Sequence, residues 1–336
     1  MPRVTIAIPT YKRGALLRRA VRSALEQTFH RDMEILVVEN PSEPLAPGML
    51  TFAETLCLEL ADPRIRYVRN SANVGMAGNW NRCLELAQSA WVVILHDDDW
   101  LAPRYVEISL ALVDSNPALR LVCCYGFIER EGLPEQPDEE IGSLIRSIRL
   151  APIHFLLGNP VPGPGIMMHR ETALKLGGFD PGWFPTMDHV LWLRFCETAP
   201  CARIQHRLTH YSIGDNVSLK PAMLISFIVN DWKQRQELLD RAFFRNPILQ
   251  AYSRIKVHRE RAFLQNRFRI KIPSQDLEDS LTEVGWRPFS RAFRWVYFPL
   301  RVVIEVVSWY QTVRLKAVHV VQVRGQVDPQ SSVRKP

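Results

Sequence analysis

Residues 91–100 read Trp-Val-Val-Ile-Leu-His-Asp-Asp-Asp-Trp. Trp91 to Leu95 form an apolar run without alternation. That is the signature of a strand covered on both faces, as in the middle of a parallel sheet. The run stops at His96 and three carboxylates, Asp97, Asp98 and Asp99. Ligands of an open parallel sheet sit outside the carboxyl ends of its strands, so chemistry is expected at this junction. Three adjacent carboxylates repel one another and call for a cation, and hard oxygen ligands select Mg²⁺ or Mn²⁺. An ion held by one or two carboxylates takes phosphate oxygens at its open positions. The competing reading, a solvated acidic turn, fits poorly with a buried strand leading straight into it.

Upstream, Val4–Ile8 is a β-branched run ending at Pro9-Thr10-Tyr11-Lys12. Leu17, Ala20, Val21, Ala24, Leu25 and Phe29 then recur with helical spacing, and Ile35–Val38 is a second apolar run closed by Glu39-Asn40. Strand, helix, strand within forty residues is a βαβ unit with a right-handed crossover. Ile65–Val68 is a further short strand, and a helix is expected over Ala77–Leu86. Pro103 opens a helix after the acidic triplet, and Leu121–Tyr125 is again a strand. Residues 129–142 are polar and turn-rich, a surface loop or lid. Beyond Pro160 come a stiff loop with Gly163 and Gly165, a strand at Ile166–Met168, and a helix at Asp188–Phe195. The expected architecture is an α/β domain over 1–220, a mostly parallel sheet flanked by helices. A basic, mostly helical region follows over 221–336, with about the last ten residues disordered.

The chain has 336 residues, 47% hydrophobic and 23% charged, which excludes collagenous and wholly disordered classes. Six cysteines without a CxxC pair read as reduced thiols. Neither a signal-peptide core nor an apolar stretch long enough to span a bilayer is evident, so a cytoplasmic protein is expected. The net charge of +7 is unevenly placed: residues 1–224 hold 22 basic and 25 acidic residues, whereas 286–336 hold 9 and 2. No GxGxxG, GxxxxGK[ST], HExxH or GxSxG motif occurs, which removes dinucleotide, P-loop, zincin and hydrolase readings.

Six segments in order resemble the family 2 glycosyltransferases of the GT-A fold. They are IAIPTYKRGALLRRAVRSALEQTF, EILVVEN, NVGMAGNWNRCLELA, WVVILHDDDW, GGFDPGWFPTMDHVLWLR and GDNVS, spanning roughly residues 3–218. The resemblance implies an inverting transferase using a nucleotide-diphosphate sugar and Mg²⁺ or Mn²⁺. Asp97 and Asp99 fall on the Asp-x-Asp positions, the first facing the ribose and the last holding the metal, with Asp98 between them. Tyr11 falls where the family packs an aromatic on the base, and Pro9 before it is counted among the donor-binding residues. Asn40 replaces a usual aspartate that accepts from a pyrimidine base; an amide oxygen accepts without charge assistance, and UDP or dTDP stay open. Asn79 and Asn81 would face the donor, and Gly163 and Gly165 would allow backbone approach to its sugar.

Direct displacement at an anomeric carbon needs a carboxylate to take the acceptor proton. Asp188 matches the family's base, with Met187 where Glu is usual; the plain alternative for Asp188 is a helix N-cap, and Asp180 is the runner-up carboxylate. His210 and His96 are possible further metal ligands. No QxxRW motif follows Asp188, since Arg294-Trp295 lacks the Gln, and this favours single additions over polymer synthesis. The expected partners are a nucleotide-sugar donor and a saccharide or lipid-linked acceptor in surface polysaccharide assembly. The alternative is a catalytically silent sugar-nucleotide-binding or scaffold protein. Over 286–324 aromatics such as Trp286, Trp295 and Trp309 interleave with arginines. That suits an anionic membrane surface on the inner face of the cell membrane, with packing on the domain as the competitor. No nucleic-acid-binding motif accompanies the basic tail, so nucleic acid is not an expected partner.

Overall fold

The computed structural model describes residues 1–42, 46, 48–161, 164–214, 219–242, 246–287, 297–314 and 318–322. The chain runs β1 (Val4–Thr10), α1 (Ala15–Leu25), β2 (Met33–Glu39), α2 (Phe52–Leu60), β3 (Ile65–Arg69), α3 (Gly75–Leu86), β4 (Trp91–Ile94) and β5 (Trp100–Leu101). It continues through α4 (Tyr105–Ser115), β6 (Leu121–Arg130), β7 (Leu144–Leu150), α5 (His154–Leu157), β8 (Ile166–His169), α6 (Arg170–Lys175), α7 (Met187–Thr198) and β9 (Cys201–Ile213). Last come α8 (Pro221–Ala242), α9 (Pro247–Phe268), α10 (Ser274–Glu283), α11 (Tyr297–Arg314) and β10 (Val318–Gln322).

Among the described residues the strands form one sheet in the order β10-β7-β9-β6-β8-β4-β1-β2-β3, with β5 paired to β9. β3, β2, β1 and β4 run parallel, as the βαβ reading requires. β8 lies antiparallel between β4 and β6, and turns the sheet into a mixed half. Apolar side chains of these strands divide between two cores. Ile6, Ile8, Ile35, Val37 and Val93 meet α1 and α4 on one face, while Ala7, Leu36, Val38, Val92 and Ile94 meet α3 and α7 on the other. This two-sided burial is why the central strands read as unbroken apolar runs.

α8 starts at Pro221, where the composition changes, yet the region beyond it shares the second core. Leu238, Leu239, Tyr252, Ile255 and Ile304 pack with Phe155, Leu191 and Trp192, and β10 pairs antiparallel with β7 at the sheet edge. α8, α9 and α10 also enclose a small core of their own around Trp232, Val257, Leu281 and Trp286. Trp286, expected at a lipid boundary, is only 1% exposed; the indole finds its apolar partners inside the protein. Trp295 and residues 215–218, 288–296, 315–317 and 323–336 lie outside the described residues, as does the side chain of Trp309.

Candidate functional site

β1, β2 and β4 are parallel neighbours, so their C-terminal ends lie side by side. At the floor of this edge three asparagines are locked together. Asn70 donates to Asn40 Oδ1 and to Asn79 Oδ1, each at 2.9 Å. Asn40 Oδ1 also faces the Val74 N–H at 3.4 Å, and its Nδ2 donates to Gly75 O. Asn79 donates to Val38 O at 3.1 Å. The expected base-accepting oxygen of Asn40 is therefore spent on tying β2 to the turn before α3, and Asn79 on tying α3 to β2. Asn81 is likewise committed: it donates to Phe179 O and accepts from Phe179 N–H, both at 2.8 Å. It clasps the turn at Gly178 (φ +64°), where a Cβ would come within 2.4 Å of Asn81 Oδ1. Pro9 is buried inside β1 opposite Val38. Gly165 serves packing, since a Cβ there would meet Leu101 and Thr209 at 2.7 and 2.9 Å. Gly163 lies outside the described residues.

Above this floor stands the acidic turn. Asp97 accepts from Thr10 Oγ1 at 2.7 Å, from the Tyr11 N–H at 3.3 Å and from Arg13 Nε at 3.2 Å. Burial nonetheless holds its carboxyl above the ordinary range. Arg13 also bonds Asp98 at 2.9 Å and so spans two of the three carboxylates. Asp99 is fully buried, and burial pushes it up to about 6 against the opposing pull of His96. It accepts from the Ser212 N–H at 2.8 Å and meets His96 Nδ1 at 3.1 Å. For His96, burial disfavours the charged ring. The hydrogen bond to Asp99 and the charges of Asp99, Asp98 and Asp188 outweigh it and raise the ring to about 9. The ligating atoms of His96, Asp98 and Asp99 all lie within 4.8 Å of one another. Two carboxylates and one imidazole fit Mg²⁺ or, with the nitrogen, rather Mn²⁺.

Asp188 sits in the first turn of α7 behind an N-cap at Thr186, so it is not itself the cap. Its charge reaches His96, which puts it beside the acidic turn. Met187 is buried in the core. Asp180 accepts from the Gly182 N–H at 3.0 Å and lies 3.7 Å from Arg194, occupied with the turn it caps. Tyr11 is 43% exposed beside the acidic turn, to which its N–H is bonded. His210 is buried between Trp100 and Phe127, and both its nitrogens are taken, by Glu129 at 2.7 Å and Asp138 at 3.0 Å. It stands apart from the metal-ligating group.

Sequence reading passed over Trp80. Its indole stacks on His96 with centroids 5.0 Å apart and an 18° tilt, and it meets Phe179 edge-on at 5.0 Å. Phe179 in turn meets Trp192 of α7. This aromatic chain fixes the acidic turn against the helix that carries Asp188. The one sequence signal was an unexplained Trp between two asparagines.

The sequence profile of glycosyl transferase family 2 matches residues 5–175. An uncharacterized protein of Mycobacterium tuberculosis is 26% identical over 220 residues, 62% of this chain and 66% of that protein. The GalNAc(5)-diNAcBac-PP-undecaprenol beta-1,3-glucosyltransferase of Campylobacter jejuni is 31% identical over 133 residues, 39% of this chain and 40% of that one. The chain thus matches less than two thirds of the length of either relative. Among solved structures, the mannosyltransferase PcManGT of Pyrobaculum calidifontis, in complex with GDP-Man and Mn²⁺, aligns with a TM-score of 0.54 at 16% identity, covering 92% of this chain and 88% of that one. At that identity the likeness speaks for the fold.

Proposed function

Since the chain belongs to glycosyl transferase family 2, we propose that it moves a single sugar from a UDP- or dTDP-linked donor to a saccharide or lipid-linked acceptor in surface polysaccharide assembly, inverting the anomeric centre. The observation that carries this is the gathering of His96, Asp98 and Asp99 at the end of β4, with the charge of Asp188 acting on the same cluster. The Campylobacter relative, which acts on an undecaprenol-linked saccharide by its name, supports the lipid-linked class of acceptor.

The residues divide the work. Tyr11 offers an open ring to the base. Asp97, oriented by Thr10 and the Tyr11 N–H, faces the ribose. Asp99, with Asp98 and His96, would hold the divalent ion. When bound, that ion supplies positive charge against the diphosphate as it leaves. Arg13, already across Asp97 and Asp98, balances part of the negative charge that the three carboxylates bring together. Asp188 accepts the proton of the attacking hydroxyl, and one carboxylate acting in one displacement gives inversion. The aromatic chain through Trp80 and Phe179 keeps that carboxylate in register with the acidic turn.

A silent sugar-nucleotide-binding protein is the second reading. It is favoured by the buried Met187 where the family usually has Glu and by the internal engagement of Asn40. A panel of nucleotide sugars with detection of nucleoside diphosphate release decides between them. Turnover with one donor, and a product linkage of opposite configuration by NMR, supports the transferase. Donor binding without release across the panel, with Mn²⁺ present, leaves the silent reading.

A further inference from the structure

α11 is amphipathic in an inverted sense. Ile304 turns into the core and is 2% exposed, whereas Phe298, Val302, Val303, Val306 and Val307 are between 40% and 71% exposed. At 100° per residue these five fall within one half of the helix circumference. Arg301 and Glu305, paired at 2.6 Å, border that half on one side. Soluble proteins scatter exposed apolar side chains singly, so five on one helix face mark a contact surface.

The charge of the sequence that includes this helix selects its partner. Residues 287–316 carry six Lys and Arg and a single acidic residue, Glu305, which Arg301 already neutralises. A protein partner of ordinary surface composition has no reason to meet such an excess of positive charge. An anionic lipid surface does: acyl chains take up the apolar arc while headgroups take up the cations. No described helix is long and apolar enough to cross a membrane, which fits a helix lying along the bilayer and not through it. Trp286 is buried and takes no part; among the described residues the exposed apolar side chains of this region are Phe298 and the valines of α11.

We propose that the exposed face of α11 docks the protein on an anionic membrane surface, with Phe298, Val302, Val303, Val306 and Val307 inserted at the headgroup boundary. The proposal deepens the reading of a lipid-linked acceptor, because a surface-bound enzyme meets such an acceptor where its saccharide leaves the bilayer. It is nevertheless tested without any sugar chemistry.

The experiment is flotation of the full chain with vesicles of phosphatidylcholine alone and with 30 mol% phosphatidylglycerol (about that proportion suffices for a strong surface potential). The protein should float with the anionic vesicles and not with the neutral ones, and raised salt should weaken the binding. The double change Val303→Glu and Val306→Glu should lower the partition coefficient about tenfold or more, with an unaltered melting curve because both side chains already face solvent. Phe298→Ala is the milder second variant, expected to cost about threefold to tenfold. If the full chain ignores anionic vesicles, or if both variants bind as well as the parent, the proposal fails. It fails too if the parent is a dimer by light scattering and the double change makes it a monomer, since the face is then a contact between copies. Failure of flotation leaves the donor panel untouched, so loss of the membrane inference and loss of the transferase reading remain separate results.

Discussion

Asp99 and His96 sit side by side, one raised to about 6 and the other to about 9. Between those values the pair is ionised on both sides, and an arriving Mn²⁺ must compete with the imidazolium for the same carboxylate. Two outcomes follow. Metal affinity should rise by about tenfold per pH unit between about pH 6 and 9 as His96 gives up its proton, level off above about pH 9, and fall more steeply below about pH 6, where a proton also occupies Asp99. At pH 7.5, binding should release close to one proton from His96, read by calorimetry in buffers of different ionisation enthalpy; a buffer-independent enthalpy would show the ring keeps its proton. Asp99→Asn preserves an acceptor for the Ser212 N–H while removing the metal's charge partner. Activity should drop by about three orders of magnitude or more with little change in melting temperature, and full activity of the parent in EDTA would overturn the assignment. Asp188→Asn should lower turnover by about 10²–10⁴-fold without weakening nucleotide binding. Asp180→Asn, which alters only a turn cap, is the control. These carboxylates were legible in sequence because charge after a buried strand is costly. The bonding of the asparagines was not. Asn40, Asn79 and Asn81 read as donor-binding amides at the strand ends, and the sequence carries no mark of the mutual and backbone hydrogen bonds they make in the structure.

The long helix α8 reaches back to the segment that bears the proposed base. Asn230 donates to the carbonyls of Trp183 and Phe184 at 3.0 and 3.1 Å, and Gln234 donates to His189 O at 2.9 Å. Both amides are buried. Changing them to Ala removes these bonds from the carbonyls around Asp188, of which Trp183 O keeps Thr186 N–H and Oγ1; each lost bond costs about 0.5–1.5 kcal/mol. The double variant should show a turnover loss of about tenfold with nucleotide affinity unchanged, measured against a parent-like far-UV spectrum; equal losses in both would make α8 merely supportive. Nothing in the sequence signalled this, for a polar residue on a helix face reads as solvated. The same limit hid β7 and β9. Arg203 lies over the ring of Tyr125 at 4.5 Å and Arg207 over Phe127 at 5.6 Å. Their charges sit on aromatic faces of the neighbouring strand, and in sequence they break the pattern that announces a strand. The runs at 4–8, 35–38 and 91–95 were plain because apolar cover on both sides leaves no polar position to blur them.

Across the whole molecule, the helices beyond residue 220 are fastened to one another by charge. Arg235 is 1% exposed and holds Glu260 and Asp231, while Lys256 joins both acids. Two cations and two anions balance in this buried set. Arg235→Ala leaves the acids with Lys256 alone and should destabilise the protein by about 3–5 kcal/mol in denaturant titration; a loss under 1 kcal/mol would mean water already solvates the cluster. The composition shift near 220 located the start of α8. It did not show that Leu238, Tyr252 and Ile304 complete the core beneath the sheet, since membership of a shared core leaves no mark on helical periodicity.

The pairing of β10 with β7 carries a consequence for how the chain comes off the ribosome. Ile148 finds its partner Val318 only 170 positions later. Once β9 has paired with its other side, β7 presents a bare edge for the time it takes to translate the four helices α8–α11. Such an edge can recruit the same strand from a neighbouring nascent chain on the polysome. A premature stop just before residue 318 would make that waiting state permanent. Its product should appear in inclusion bodies, while the full chain at the same expression level stays in the supernatant.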